Sequence, residues 1–280
     1  MSRVAVATCR GNDLDPDGPV LMAALEAGGV DAALAIWDDP SVTWDDYELV
    51  VIRSTWDYVE RRDEFLRWAR SITHLLNPYG VIEYSTDKHY LRDLEAHGLR
   101  IVPSRFCDVG EEPAFFDSDF VVKPCVGAGS MDASRYTKDD VKSARTHVAA
   151  LHAKGRDVVI QPYVDSVDSE GERALVFIDG AFSHAMTKAA MLNVSELDRH
   201  GLFRLDQMAL GPAEPDAVAY AEKVLAAKGF SHLLYARVDL VRTNEGWAIM
   251  ELELVEPSLF LTYDDQAATK LTSAILKRLD

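Results

Sequence analysis

The stretch that most restricts the fold is "LLYARVDLVRTNEGWAIMELEL", residues 233–254, in which two apolar runs flank a polar turn and carry Arg237, Asp239, Glu251 and Glu253 inside them. Side chains alternate along a strand, so residues two apart share a face. With "VRTNEGW" as the turn and Arg242 opposite Ala248, Asp239 faces Glu251 and Arg237 faces Glu253. Val238, Leu240, Met250 and Leu252 then form the opposite, apolar face. Such a hairpin needs a core on one side and compensating cations on the other. Converging hard oxygen ligands suit magnesium carried by a nucleotide phosphate. The competing reading is a solvated sheet face on which Arg237 pairs with the acids.

A second feature bears on that choice. In "VVKPCVGAGSMDAS" Lys123 ends an apolar run just before a loop holding Gly127, Gly129 and Ser130. Backbone amides of such a loop can close on phosphate oxygens while the lysine adds a point charge. The order of residues is not that of a Walker A loop, and an ordinary turn has the same composition. Downstream, "VVIQPYV" is an apolar strand running into Gln161 and Pro162, a linker whose backbone edge can pair with a nucleobase.

Elsewhere the chain alternates helix and strand signals. "RVAVATC", "VDAALAIW", "YELVVIRS" and "HLLNP" read as parallel strands, separated by the helices "DGPVLMAALEAGG" and "RRDEFLRWARSI". Residues 1 to about 85 therefore form a small doubly wound unit. "TDKHYLRDLEAHG" reads as a helix capped by Thr86 or Asp87 and stopped by Gly98. "FVVKP", the helix "KDDVKSARTHVAALHAK" and "DVVIQPYV" follow. "ERALVFIDGAFSHAMTK" is a hairpin around an Asp-Gly turn. The segment "MLNVSELDRHGLFRLDQ" is polar and poorly periodic. The helices "DAVAYAEKVLAAKG" and "DDQAATKLTSAILKRL" complete the pattern.

Composition narrows the function. Forty-six acidic against 29 basic residues give a formal charge of -17, which repels nucleic acids and anionic membranes. The three cysteines, Cys9, Cys107 and Cys125, are widely spaced without a CxxC, so neither a disulfide framework nor a zinc knuckle fits. Cys125 reads as a small buried residue beneath the glycine loop. The histidines lack metal-ligand spacing. No signal peptide or membrane-length apolar run is present, which points to a soluble, cytoplasmic protein.

Taken in order, these features resemble the ATP-grasp superfamily of carboxylate-amine ligases over nearly the whole chain. The pattern comprises Lys88 after the first unit, Lys123 before the glycine loop, a hinge from Gln161 through Tyr163 to Val164, and the terminal Arg237-x-Asp239 with Glu251-x-Glu253. The resemblance implies an α/β, three-part fold: a doubly wound unit at 1–85, a small α+β lid at 119–165, and a catalytic α+β part at 86–118 and 166–280. It also implies that Lys88 and Lys123 contact ATP phosphates, with Lys188 reaching the terminal ones unless it is a surface lysine. The hinge backbone would hold adenine. A following acid would bind ribose: Glu172, or else Asp165, Asp168 or Glu170. Asp239, Glu251 and Glu253 would chelate Mg2+, although the family usually has Asn in place of Glu253. Arg237 would stabilise an oxyanion.

"IRSTWDY" ends the third strand, where open sheets present loops to ligands. Arg53 is a candidate for a substrate carboxylate, and Ser54, Thr55 and Asp57 for an amino acid. In the alternative, one of the latter three caps the next turn while Trp56 and Tyr58 pack against the neighbouring unit. Ser258 is a further substrate candidate on the family pattern. "RSTWDY", "GERALVFIDGAFSHAMTK" and "ELELVEPSLFL" resemble the branch of cyclo-ligases that form D-cycloserine from O-ureidoserine. The expected reaction activates an amino-acid carboxylate as an acyl phosphate for attack by the substrate's own nitrogen, in a protein whose partner is a small molecule and whose oligomeric state stays open. A bimolecular dipeptide or glutathione-type ligase is the alternative, and a catalytically silent nucleotide-binding scaffold is the non-enzyme one.

Overall fold

Apolar runs buried on both faces build the first layer. In a computed structural model describing residues 2–11, 15–189 and 208–279, the chain starts with β1 (Arg3–Thr8), α1 (Asp17–Ala27), β2 (Asp31–Ile36), β3 (Leu49–Ser54), α2 (Arg62–Ser71), β4 (Leu75–Leu76) and α3 (Tyr79–Ser85). The strands form one parallel sheet in the order β2-β1-β3-β4. Leu21 and Leu25 of α1 cover one face, and Phe65, Leu66 and Ala69 of α2 the other, as continuous apolar strands require. Helix α3 is not foreseen from the sequence, because seven residues with only Val81 and Ile82 buried are too few to show a period.

A second sheet follows from α4 (Tyr90–Ala96), β5 (Arg105–Cys107), β6 (Phe120–Pro124), β7 (Ser134–Tyr136), α5 (Val141–Ala153) and β8 (Val158–Pro162). Its strands are antiparallel in the order β5-β8-β6-β7. Ala144, Val148 and Leu151 of α5 pack on Phe120, Val122, Val158 and Ile160. The three-residue β5 is below the length at which alternation can be recognised. Before α4, Asp87 rather than Thr86 receives a helix-entry amide, that of His89 at 3.0 Å, and Thr86 donates back to Glu83 O at 3.2 Å.

The third unit contains α6 (Ser166–Ser169), β9 (Glu172–Ile178), β10 (Ala181–Lys188), β11 (Met208–Leu210), α7 (Pro215–Ala227), β12 (Tyr235–Thr243), β13 (Gly246–Glu253) and α8 (Ala267–Leu276). Its five strands are antiparallel in the order β11-β10-β9-β12-β13. One face, with Leu175, Phe177, Val238 and Leu252, packs on α4 and α7. The other packs Ala174, Val176 and Met186 near α1 and α8. Asp179 and Gly180 turn the β9–β10 hairpin with φ of 52° and 76°, the left-handed pair that an Asp-Gly turn supplies. The polar segment "MLNVSELDRHGLFRLDQ" lies outside the described residues. No helix among the described residues is long and apolar enough to cross a membrane.

The β12–β13 register departs from the simple hairpin. Asp239 pairs with Glu251 and Arg237 with Glu253 as expected, but Leu240 pairs with Ile249 and Arg242 with Trp247, not Ala248. Met250 is the extra residue of a β-bulge. The bulge turns Met250 away from the apolar face, where Ile249 takes its place, and onto the wall of a cleft beside Glu251.

After β13 the chain passes between the units with residues 254–261 all buried. A buried loop must have its backbone groups paired, and here side chains do it. Asn77 donates to Leu254 O at 2.8 Å, the Tyr235 hydroxyl lies 2.7 Å from Val255 O, and Trp56 Nε1 donates to Glu256 O at 3.3 Å. Arg53 donates to Pro257 O at 2.7 Å, Arg237 to Ser258 O at 3.1 Å and His184 Nε2 to Leu259 O at 2.9 Å. Asp17 accepts the Leu259 and Leu261 amides at 2.9 and 2.7 Å, which holds Phe260 between them at φ 53°.

The loop's side-chain anchors should be visible in stability measurements. Asn77 also donates to Tyr235 O at 2.9 Å and accepts the Leu234 amide at 2.9 Å, so Asn77→Ala should cost roughly 2–4 kcal/mol in urea unfolding by orphaning three buried backbone groups. Burial lowers the His184 pKa from its ordinary 6.5. The unfolded chain then takes up a proton that the folded chain refuses. Stability should be fully present above pH 6.5 and fall as pH drops through the depressed folded value, and His184→Gln should flatten that part of the pH–stability curve.

Candidate active site

The charged face of β12 and β13 is neutralised by lysines brought from three other elements. Arg237 straddles Asp239, with Nε to Oδ1 and Nη2 to Oδ2 both at 2.9 Å, and also bonds Glu253. Lys188, at the end of β10, reaches Asp239 Oδ2 at 2.7 Å and pairs with Glu172 at the start of β9. Lys123, at the end of β6, lies 3.1 Å from Glu251 Oε1, and Lys88 lies 3.5 Å from the same oxygen. Lys88 also donates to Gly127 O at 3.1 Å. Four acids thus face four cations in a nearly dry site, and the lysine pairs join the second sheet to the third.

The protonation balance follows from that packing. Burial pushes the Glu251 carboxyl up, but Lys88 and Lys123 overcome it and hold Glu251 well below the usual carboxylate range. Burial lowers the Lys88 and Lys188 ammoniums, yet the facing acids leave both raised. Glu253 is pushed up to about 8 by burial and by Asp239 and Glu251, with Arg237 opposing. Glu172 is pushed up to about 7 by burial against the pull of Lys188. Burial first, and the neighbouring acids after it, thus outweigh the cations at Glu253 and Glu172. Asp239, Glu251 and Glu253 offer oxygen atoms all within 4.8 Å of one another, a hard donor set suited to Mg2+.

Two clefts meet at these charges. The first is lined by Val121, Met250 and the Gln161–Val164 segment, and by Lys88, Lys123 and Lys188 with the glycine loop. Gly127, Gly129 and Ser130 all line it, with Gly129 and Ser130 at φ of 59° and 60°. Of the four acids considered after the hinge, only Glu172 is on its wall. Asp168 instead accepts from the Tyr163 hydroxyl at 2.5 Å. The second cleft, of about 790 Å³, shares Lys88, Lys188, Glu251 and the glycine loop, and adds Arg237, Glu253 and Ser258.

Four substrate candidates are placed otherwise than the sequence suggests. Arg53, Ser54, Thr55 and Asp57 line neither cleft. Arg53 Nη2 donates to Pro257 O and lies 3.7 Å from Asp17, while its Nε and Nη1 are buried without a hydrogen-bond partner. Ser54 bonds Thr8 Oγ1 at 2.8 Å, Thr55 is fully buried, and Asp57 accepts from Trp37 Nε1 at 2.8 Å and Arg61 at 2.5 Å. The aromatic residues between them, Trp56 and Tyr58, form the cleft wall instead, with Tyr90 and Phe260. Glu256 is also there, hydrogen bonded by Tyr58 and raised to about 7 by burial. The sequence shows Glu256 beside the acid motif, but alternation ends with β13 and no longer assigns it a face.

This arrangement has counterparts among known proteins. The family profile for the N-terminal domain of D-cycloserine synthetase DcsG matches residues 4–77. The cycloserine biosynthesis protein DcsG of Streptomyces lavendulae is 37% identical over 286 aligned residues, covering 95% of each chain. The crystal structure of D-cycloserine synthetase DcsG superposes with a TM-score of 0.89 at 36% identity, covering 100% of both chains. At 15% identity, a RimK domain ATP-grasp protein from Sphaerobacter thermophilus gives a TM-score of 0.69 over 99% of both chains, a likeness that speaks for the ATP-grasp fold alone.

The ion pairs make a direct prediction. Glu251→Gln strands Lys88 and Lys123, both mostly buried, and should lower the stability of the ligand-free protein by about 1–3 kcal/mol after allowance for partial solvent screening. Combining it with Lys123→Met should cost less than the sum of the two, by about 1 kcal/mol. Chemical denaturation of the four proteins measures this coupling, and strict additivity would refute the pair.

Proposed function

The chain belongs to the family of the cycloserine biosynthesis protein DcsG, an ATP-grasp ligase fold, and from that premise we propose that it closes an O-ureidoserine-type amino acid into a ring at the expense of ATP. The observation that carries this reading is the meeting of two clefts at Lys88, Lys188 and Glu251. A nucleotide in the first cleft and one small amino acid in the second would bring the γ-phosphate and the substrate carboxylate together there.

In this reading the Gln161–Val164 segment takes the base and Glu172 the ribose. Lys88, Lys123 and Lys188 exchange their carboxylate partners for phosphate oxygens, and the glycine-loop amides cover the same oxygens. Asp239 and Glu251, released by the lysines, would hold Mg2+ together with Glu253. When bound, the ion supplies charge neutralisation for the phosphates. The substrate carboxylate oxygen bonds to the γ-phosphorus as the bond to the ADP oxygen breaks. The oxygen-bound nitrogen of the ureido group then attacks the acyl carbon and gives up its proton to solvent, the carbon–oxygen bond to phosphate breaks with release of phosphate, and ring closure has removed the elements of one water. Arg237, fixed by Asp239 and Ser258 O, donates to the oxygen that becomes negative. Trp56, Tyr58 and Ser258 position the substrate, and the aromatic wall limits competing water. Three free, buried cysteines fit a reducing, cytoplasmic setting.

Incubating the protein with Mg2+, ATP and O-ureidoserine alone should release one ADP per ring formed, with a product mass lower by one water or by the further loss of the carbamoyl group. Turnover that appears only with a second amino acid, giving a summed mass, would reassign the protein as a peptide-type ligase. Lys123→Ala should raise the KM for ATP at least tenfold while changing that for the amino acid far less, as steady-state kinetics would show.

A further inference from the structure

Behind the glycine loop, outside both clefts' chemistry, lies a second group of metal-ligating side chains drawn from three segments. Asp87, His89 and Cys125 offer donor atoms all within 4.8 Å of one another. His89 Nδ1 sits 2.7 Å from Asp87 Oδ1, so Nδ1–H donates to that carboxylate and Nε2 is left as the ligand atom. Nε2 lies 4.0 Å from Cys125 Sγ and 3.3 Å from Asp108 Oδ1. A tetrahedral ion with bonds of about 2.0 Å to N and O and about 2.3 Å to S would place its ligands about 3.3–3.5 Å apart. The spacing of Nε2 from Asp108 Oδ1 already fits and that from Cys125 Sγ must close by about half an ångström, while Asp108, which is outside the converging group of Asp87, His89 and Cys125, must swing toward the sulfur to complete the site. Cys125 is 1% exposed, whereas Asp108 is half exposed, so an ion has a route in from the Asp108 side.

We propose that His89 Nε2, Cys125 Sγ and Asp108 Oδ1 form a site for a divalent d-block cation of the zinc type, with Asp87 orienting the imidazole. The mixed N, S and O donor set selects such an ion over Mg2+, which takes oxygen ligands. Position gives the site a consequence. Cys125 O accepts the Lys88 amide at 2.9 Å, and Gly127 is two residues on. An ion there ties Asp108 and Cys125, flanking strands of the second sheet, to the Asp87–His89 segment that carries Lys88. Occupancy therefore fixes the base of the phosphate loop.

The test is titration of the metal-free full chain with Co2+ in the presence of saturating Mg2+, which occupies the oxygen-only site. The expected result is a thiolate-to-cobalt charge-transfer absorption that saturates at one equivalent, is lost in Cys125→Ser, and persists in Cys9→Ser and Cys107→Ser. Asp108→Asn and Asp87→Asn should each weaken cobalt binding about 10- to 100-fold. Absence of the band, or its survival in Cys125→Ser, overturns the proposal and leaves His89 as an imidazole held between two aspartates. Should Cys125→Ser not fold, Asp108→Asn at its half-exposed position decides alone: unchanged cobalt affinity overturns the site.

Discussion

The buried passage of residues 254–261 is the constraint on which the arrangement of the units depends. A chain segment without secondary structure has no ladder to satisfy its carbonyls, and desolvating them unpaired costs about 1–3 kcal/mol each. Six consecutive carbonyls, from Leu254 to Leu259, each meet a different side chain. Three of these side chains, Asn77, Trp56 and Arg53, come from the parallel unit, and three, Tyr235, Arg237 and His184, from the antiparallel sheet. The loop therefore acts as a polar seam between two sheets that share an apolar core around Val6, Leu21, Val176 and Leu271. Apolar packing brings the sheets together, and the directional bonds fix their relative position. Arg237 belongs to both the seam and the charge cluster, so the placement of the clustered charges is coupled to the packing of the units.

The charge lattice meets a general physical problem. Lysines and carboxylates gathered at one place would be costly to bury unpaired. Here each group finds its partner among the others, Lys123 and Lys88 on Glu251, Lys188 on Asp239, Arg237 on Asp239 and Glu253. In the proposed function, binding of a magnesium nucleotide would be an exchange of partners rather than a fresh desolvation. The pairs of Glu251 with Lys88 and Lys123 also bridge the sheet that carries the glycine loop and the sheet that carries the acids. In the proposed function, exchange at Glu251 would be a physical means by which nucleotide binding alters the contact between them.

Residues on regular strands are legible from their spacing in the chain. The alternation of Arg237, Asp239, Glu251 and Glu253 puts them together, and the cross-strand pairs at both positions are as expected. That agreement depends on the Met250 bulge, because the turn is one residue out of the simple hairpin register and the bulge restores it. No local signal announces a bulge whose extra residue is an ordinary apolar one. Arg53, Ser54, Thr55 and Asp57 show the opposite case. Their position at a strand end suggests ligand contact, but all four lie outside the clefts, bonded within the fold through Arg53 Nη2, Ser54 and Asp57 or buried as Thr55 is, and Trp56 and Tyr58 reach the cleft.

Local spacing dictates the parallel and antiparallel units, the Asp-Gly hairpin, the glycine loop and the acid-bearing strand face, because each is written in intervals of two to four residues that backbone geometry converts directly into a face or a turn. Packing of the units settles which cations meet those acids, that Glu256 and Tyr58 share a cleft wall, and that His89 and Cys125, 36 residues apart, face each other at 4.0 Å. Those contacts join residues distant in the chain, and their geometry is set by how whole sheets pack, which no local period encodes.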